Sequence, residues 1–241
     1  MESVSVLFPY KPDYGHRDRL FKWVLKYYKE VFPEVEICIG ECKNDIFSRA
    51  EAVNNAAHKA TKEIFVIADC DIFYDRNVLK KSIQQLDNFA WVVPYERIHY
   101  LSKDCTEQII QQKPEWPTVP LKGDIVKATE GQYISGYVYI GGVNIVPRKY
   151  FSYIGGFDER FRGWGGEDDA FNAAMNTLCG HYGRLDLDIY HLWHPPAPGS
   201  HESNNSHSNF KENTKLKKRY TSASGNKDAM IQIVSENFLN N

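Results

Sequence analysis

The sequence predicts an α/β fold, a Rossmann-like mixed sheet flanked by helices and organised as a single domain. Two observations predict it. Residues 4–68 alternate as strand, helix, strand, helix, strand, the order that lays parallel strands side by side and covers them with helices. The chain has 241 residues, enough to bury one substantial core and close to the upper size of a single α/β domain. In such a sheet ligands gather beyond the carboxyl ends of the strands, so reactive side chains at those ends are the ones to follow.

The elements follow in order. Residues 4–8, Val-Ser-Val-Leu-Phe, form the first apolar run, closed by Pro9-Tyr10-Lys11-Pro12. Residues 17–31 place Leu20, Trp23, Val24, Tyr27, Tyr28 and Val31 at the spacing of an amphipathic helix. A second strand is expected at 34–39. Ser48 is placed to cap a helix running to about residue 60, with Glu51 three residues on completing a capping box. Ile64-Phe65-Val66-Ile67 is a buried strand, followed by a helix over 76–88 and a strand over 89–93. Residues 95–135, interrupted by Pro114, Pro117 and Pro120, read as irregular and too long for a simple connector, which points to an acceptor-binding loop. A strand over 137–146 carries Gly141-Gly142, where missing side chains would let a ligand lie against the sheet or would mark a bulge. A short helix at 148–154, a helix over 170–178 and an alternating strand over 184–190 complete this part.

From 197 to 208 Ser, Asn and His dominate, then come a basic helical segment at 211–220 and a last helix around 228–238. Residues 1–200 are therefore assigned to the main domain, with a nucleotide-binding half over about 1–94 and an acceptor-binding half over about 95–200. Residues 201–241 form a polar segment with C-terminal helices, expected to act as a lid over bound donor or as a solvated tail.

Composition narrows the function. Twenty-nine basic against thirty-one acidic residues leave a formal charge of −2, so no global field draws polyanions and a dedicated nucleic-acid role is not indicated. The five cysteines form no C-x-x-C pair, which argues for free thiols in a reducing, cytoplasmic compartment rather than a disulfide framework or a thiolate zinc site. No apolar run approaches membrane-spanning length, so no membrane span is expected.

Three clusters carry chemistry. Asp69-Cys70-Asp71 follows the buried strand at 64–67, where two carboxylates can hold a divalent ion together with a ribose hydroxyl or a phosphate. Residues 163–169, Gly-Trp-Gly-Gly-Glu-Asp-Asp, set glycines around an indole and three acids at a helix start. The five glycines over residues 155–166 give up backbone entropy, and adjacent carboxylates repel, so packing alone selects for neither. Glu167, Asp168 and Asp169 diverge by about 100° per residue, so only one or two can face a substrate. His191 and His194 end the last predicted strand; on extended chain they would not face the same ion, so one of them is expected to be a ligand.

Together these residues resemble the metal-dependent glycosyltransferases of the GT-A fold, most closely the group of the β-1,4-galactosyltransferases and the chondroitin-type and polypeptide N-acetylgalactosaminyltransferases. The likeness runs from about residue 4 to 194 and is sharpest in Gly156-Phe157-Asp158 and residues 163–169. Phe8-Pro9-Tyr10-Lys11 is similar to the family's first-strand loop, Phe47-Ser48-Arg49-Ala50 with Asn54 to its second donor segment, and Asp69-Cys70-Asp71 to its DxD motif. The resemblance implies that Pro9, Tyr10 and Lys11 line the nucleotide, Phe47 stacks near uracil, Arg49 contacts the nucleotide and Asp69 lies near ribose. It implies Mn²⁺ (or Mg²⁺) on Asp71 with His191 or His194, and sugar binding by Trp164 and Glu167 beside Gly142 and Gly166. Asp168 falls on the catalytic base of the inverting members, whereas the retaining relatives read Glu-Asn. Cys70 and Lys11 depart from the usual pattern.

The expected activity is therefore inverting transfer of a hexose or N-acetylhexosamine, galactose-type favoured, from a UDP-sugar to a hydroxyl of a glycan or other acceptor. Two alternatives stand beside it: a non-catalytic sugar- or nucleotide-binding module of the same fold, and transfer to a protein or modified nucleobase.

Overall fold

In the computed structural model, residues 1–43, 45–117, 121–130, 138–196 and 209–238 are described. The first half follows the predicted alternation: β1 (Val4–Tyr10), α1 (His16–Val31), β2 (Glu36–Glu41), α2 (Arg49–Lys59), β3 (Ile64–Ala68), β4 (Ile72–Phe73), α3 (Arg76–Gln85) and β5 (Trp91–Val93). Ser48 caps α2 by accepting from the Glu51 N–H at 3.2 Å. The Glu51 carboxylate itself takes the Lys43 N–H at 3.0 Å, so it ties the loop before the helix. Leu20, Trp23, Val24, Tyr27 and Tyr28 of α1 are buried, as their spacing requires.

Residues 95–135 depart from the expectation of an irregular loop. They contain β6 (Arg97–Leu101), α4 (Lys103–Ile110) and β7 (Gly123–Lys127), with α4 capped by Ser102 through the Cys105 N–H at 3.2 Å. β6 and β7 pair antiparallel over five positions, from Arg97 with Lys127 to Leu101 with Gly123. Pro114 and Pro117 fall between α4 and β7, where they interrupt nothing regular. Residues 118–120 and 131–137 of that segment lie outside the described residues.

Then come β8 (Val143–Pro147), α5 (Arg148–Tyr153), α6 (Glu167–Leu178), β9 (Tyr182–Arg184), β10 (Asp188–His191), α7 (Phe210–Ser222) and α8 (Lys227–Phe238). Two sheets result, a six-stranded one in the order β2-β1-β3-β8-β5-β9 and a four-stranded one in the order β4-β10-β6-β7. β1 runs parallel to β2 and β3, while β8 is antiparallel to β3 and β5, so the larger sheet is mixed. The strand expected at 184–190 is in fact two. β9 pairs with β5 in the larger sheet, and three residues later β10 pairs with β6 in the smaller one, the exchange being made where Leu187 O accepts the N–H groups of Glu96 and Arg97.

One apolar core joins the larger sheet to its helices and includes Tyr220, Ala223, Met230, Ile233 and Val234 of the C-terminal pair. α7 and α8 are thus packed elements, against α6, rather than a solvated tail. Residues 197–208, where a lid was expected, lie outside the described residues. Among the described residues no helix is long and apolar enough to cross a membrane.

Candidate active site

Each acid set sits at an element end that the local sequence fixes. β3 is an unbroken buried run, and the chain leaves it at Asp69, whose N–H donates to the Gly142 carbonyl at 2.9 Å. β4 follows at once, so Asp71 is held between two strands and is only 8% exposed. Asp75 caps α3, accepting from the Asn77 N–H at 2.8 Å, so neither Asp69 nor Asp71 is a capping residue. At the other set, Gly166 is the N-cap of α6 at φ 100°, a left-handed conformation that glycine adopts without penalty. Asp169 turns to Lys217 of α7 at 2.8 Å, while Asp168 turns to Arg49.

Arg49 joins the two sets. It is the first residue of α2 and is buried, with Nε donating to Asp69 Oδ1 at 2.9 Å and Nη1 to Asp168 Oδ1 at 3.0 Å. Carboxylates a hundred positions apart in sequence therefore flank one guanidinium, whose Nη2 is buried with no hydrogen-bond partner among the described residues. Burial pushes both Glu167 and Asp168 upward, and each is raised further by neighbouring acids while Arg49 opposes the shift. Glu167 is pushed up to about 8.

Asp71, His191 and His194 form the second half of the site. Their ligand atoms all lie within 4.8 Å of one another, with His194 Nε2 at 3.2 Å from Asp71 Oδ2 and His191 Nε2 at 3.5 Å from Oδ1. Both imidazoles converge, contrary to the expectation that only one could. The reason is that extended backbone ends at His191: the Leu192 N–H donates to Asp71 O at 2.9 Å and the Trp193 N–H to Thr106 Oγ1 at 2.8 Å, which returns His194 to the same carboxylate. Asp71 Oδ1 is buried with no hydrogen-bond partner among the described residues. Burial would raise Asp71, but His191 and His194 outweigh it and hold the carboxyl well below its usual range. Burial pushes His191 down, which favours the neutral imidazole a metal needs; for His194 the same burial is outweighed by the bond to Asp71, which pushes it up. One carboxylate and two imidazoles with an orphaned buried oxygen fit a divalent transition ion. They fit Mn²⁺ better than Mg²⁺, which prefers an all-oxygen shell.

Arg17, in the first turn of α1, places Nη2 at 3.1 and 3.2 Å from the ring nitrogens of His194. The sequence reading missed it, although its position just past the carboxyl end of β1 was a usable signal. Pro9, Tyr10 and Lys11 close the same strand: Pro9 O accepts the Cys70 thiol at 3.0 Å, Tyr10 OH donates to Asp18 at 2.7 Å, and Lys11 Nζ donates to the Asp45 carbonyl. Phe47 is half-buried and its carbonyl takes the Gly163 N–H at 2.9 Å, linking the second donor segment to the glycine loop. Trp164 is 37% exposed, and its carbonyl accepts from Asn213 of α7 at 3.3 Å.

Asn54 and Gly142, expected at the ligand, also have structural roles. Asn54 is buried and bonds both the N–H and the carbonyl of Phe157, each at 2.9 Å, with Glu159 at 2.8 Å, so it positions the Gly-Phe-Asp segment. Gly142 shapes the entry to β8. Its φ of 80° makes a tight turn into β8, and a side chain there would meet Ile72 Cδ1 at 3.0 Å.

Residues 126–196 match the model of a family described as the N-terminal domain of galactosyltransferase, a span that holds both the Gly-Trp-Gly-Gly-Glu-Asp-Asp stretch and the histidine pair. No curated protein sequence matches the chain significantly. Among solved structures, the catalytic domain of Drosophila β1,4-galactosyltransferase 7 in complex with xylobiose is 14% identical, with 90% of this chain and 79% of that chain covered and a TM-score of 0.51. GalNAc-T7 with UDP, GalNAc and Mn²⁺ is 13% identical over 96% of this chain and 48% of that one, at a TM-score of 0.55. S. aureus TarS 1–349 with UDP-GlcNAc is 12% identical, covering 98% and 71%, at 0.52. The chain has the GT-A fold, and residues 126–196 within it are similar to a galactosyltransferase domain. Asp69 thus follows β3 of the larger sheet, Arg49 begins α2, His191 ends β10 of the four-stranded sheet, and Asp168 lies in the first turn of α6.

Proposed function

We propose that this protein is an inverting, Mn²⁺-dependent glycosyltransferase that moves a hexose or N-acetylhexosamine from a UDP-sugar to an acceptor hydroxyl. The observation that carries the reading is the Arg49 bridge, because it has Asp69, the first DxD aspartate, and Asp168 on two sides of one guanidinium. The match of residues 126–196 to a galactosyltransferase domain favours galactose-type donors, and the UDP-containing neighbours favour uridine as the nucleotide.

In this reading Asp71, His191 and His194 hold the metal, which when bound neutralises the charge that builds on the departing diphosphate. Arg17, beside His194, adds a fixed cation on the same side. Asp69 orients ribose, while Arg49 holds Asp69 and Asp168 at a set separation. Trp164 offers its exposed face to the acceptor sugar. Asp168 takes the proton of the attacking hydroxyl at its carboxylate as that oxygen bonds to the anomeric carbon, a general-base contribution of roughly 10²–10⁴-fold. The raised Asp168 and Glu167 suit a base that must hold a proton near neutral pH.

The test is a panel of UDP-sugars scored by UDP release with Mn²⁺ and with EDTA, followed by NMR of the product's anomeric configuration. Asp168→Asn is expected to lower kcat by about 10²–10⁴-fold while UDP-sugar and Mn²⁺ still bind. Retained configuration, or normal turnover by Asp168→Asn, overturns the assignment.

A further inference from the structure

Gly141 is usually the sort of residue assigned to a turn and passed over. Here its surroundings are specific. The Gly141 carbonyl accepts the Val143 N–H at 3.0 Å and the Tyr95 hydroxyl at 2.5 Å, so the residue is pinned from both sides. Tyr95 is fully buried, and its own carbonyl takes Arg184 Nη1 at 2.9 Å, while Arg184 Nη2 donates to the Tyr139 carbonyl at 2.7 Å. Residues 139 and 141 therefore cannot slide relative to the core. The next residue, Gly142, receives the Asp69 N–H, so the turn is also tied to the first acid set.

The side-chain position of Gly141 is not open space. A Cβ placed there would lie 2.3 Å from Asp168 Oδ2 and 3.0 Å from Asp168 Cγ. Unlike Gly142, Gly141 does not use the left-handed region, so its backbone places no conformational demand for glycine. The demand comes from the carboxylate. Asp168 is held from one side by Arg49 and rests on the bare Cα of Gly141 on the other.

We infer that Gly141 is a positioning residue for transfer, its missing side chain forming the seat that holds the Asp168 carboxylate against Arg49. This rests on the reading of Asp168 as the base. An alanine at 141 forces the carboxylate back by about 1 Å to reach ordinary contact, and a misplacement of that size at a reacting group lowers rate by about 10²-fold. The fold has no reason to fail, because the clashing atoms are the end of a side chain and not backbone.

The experiment compares Gly141→Ala, Asp168→Asn and the double variant, with kcat, donor KM and Mn²⁺-dependent UDP binding measured for each. Gly141→Ala is expected to lose about 10²-fold in kcat with donor KM and UDP binding within about twofold of the parent. The double variant is expected to be no slower than Asp168→Asn alone, since both act through one carboxylate. A Gly141→Ala enzyme that keeps its kcat beside an inactive Asp168→Asn overturns the inference alone. A double variant slower than Asp168→Asn by a further order of magnitude does the same. Normal turnover by Asp168→Asn overturns the base assignment and this inference with it. Should Gly141→Ala be insoluble, Tyr95→Phe decides, because it removes one of the two donors that pin the Gly141 carbonyl without touching the acid; it is expected to lower kcat and spare donor KM, and an unchanged kcat overturns the inference.

Discussion

Replacing Arg49 with methionine removes the cation between Asp69 and Asp168 at nearly constant volume. Breaking a buried ion pair from one side is destabilising by about 3–5 kcal/mol, because a charge is left uncompensated. The Asp69 and Asp168 side chains are 33% and 27% exposed, so solvent screens part of this, and about 2–3 kcal/mol is the expected loss. For a chain of this size that lowers Tm by roughly 4–12 °C. The loss must also depend on pH. Arg49 opposes the upward shift of Glu167 and Asp168, so removing it raises both further. A carboxyl raised in the folded state holds its proton more tightly there than in the unfolded chain, and stability then falls as pH rises. For Glu167 the window already runs from the ordinary 4.5 to about 8. Thermal unfolding of parent and variant without added metal should show the deficit smallest near pH 5 and growing as pH rises to about 8 and beyond, through the raised range of both acids. An equal deficit at both ends would refute the claim that the guanidinium opposes the upward shift of these acids.

Three further outcomes follow from the same geometry. His191→Ala and His194→Ala should each weaken Mn²⁺ binding by at least about 10–100-fold in an EPR titration, and an unaffected His194→Ala would show that only one imidazole is a ligand. With saturating Mn²⁺ and substrates, kcat should fall as pH drops through the raised range of Asp168, so the acid limb lies above ordinary carboxylates; a limb near about pH 4 contradicts this. Asn213→Ala leaves the Arg162 and Trp164 carbonyls without their donor, a loss of about 1–3 kcal/mol, and should raise acceptor KM while donor KM holds; equal rises in both count against it.

How much of this could be read from the chain depended on the range of the interaction concerned. The buried run Ile64–Ala68 followed by two aspartates was legible because period, burial and polarity all change within eight residues. Ser48 as a cap and the helix beginning at Glu167 were legible for the same reason. Residues 95–135 misled because the prolines drew attention to the least regular part, while β6 and β7 are held mostly by each other and by β10, contacts without local period. The alternation of Leu185, Leu187 and Ile189 continues smoothly across a point where the backbone changes sheets, and side-chain pattern carries no record of which strand lies alongside. Asn54 looked like a ligand contact because polar residues in a donor segment invite that reading; its partners are over a hundred positions away. Arg17 was hidden by the same distance, its partner being His194.

The C-terminal helices bear on how this molecule could be recombined with others. Asp158, 5% exposed, meets Arg160 at 2.7 Å and the Tyr220 hydroxyl at 2.9 Å, and Arg160 continues to Glu236 at 2.7 Å. Grafting residues 126–196 alone onto another scaffold would carry that aspartate away from its phenol and strand the tryptophan loop without its amide brace. The smallest transplantable block must hold residues 158–178 together with α7 and α8, so crossovers that separate them should yield chimaeras with a motif intact in sequence and misshapen in space.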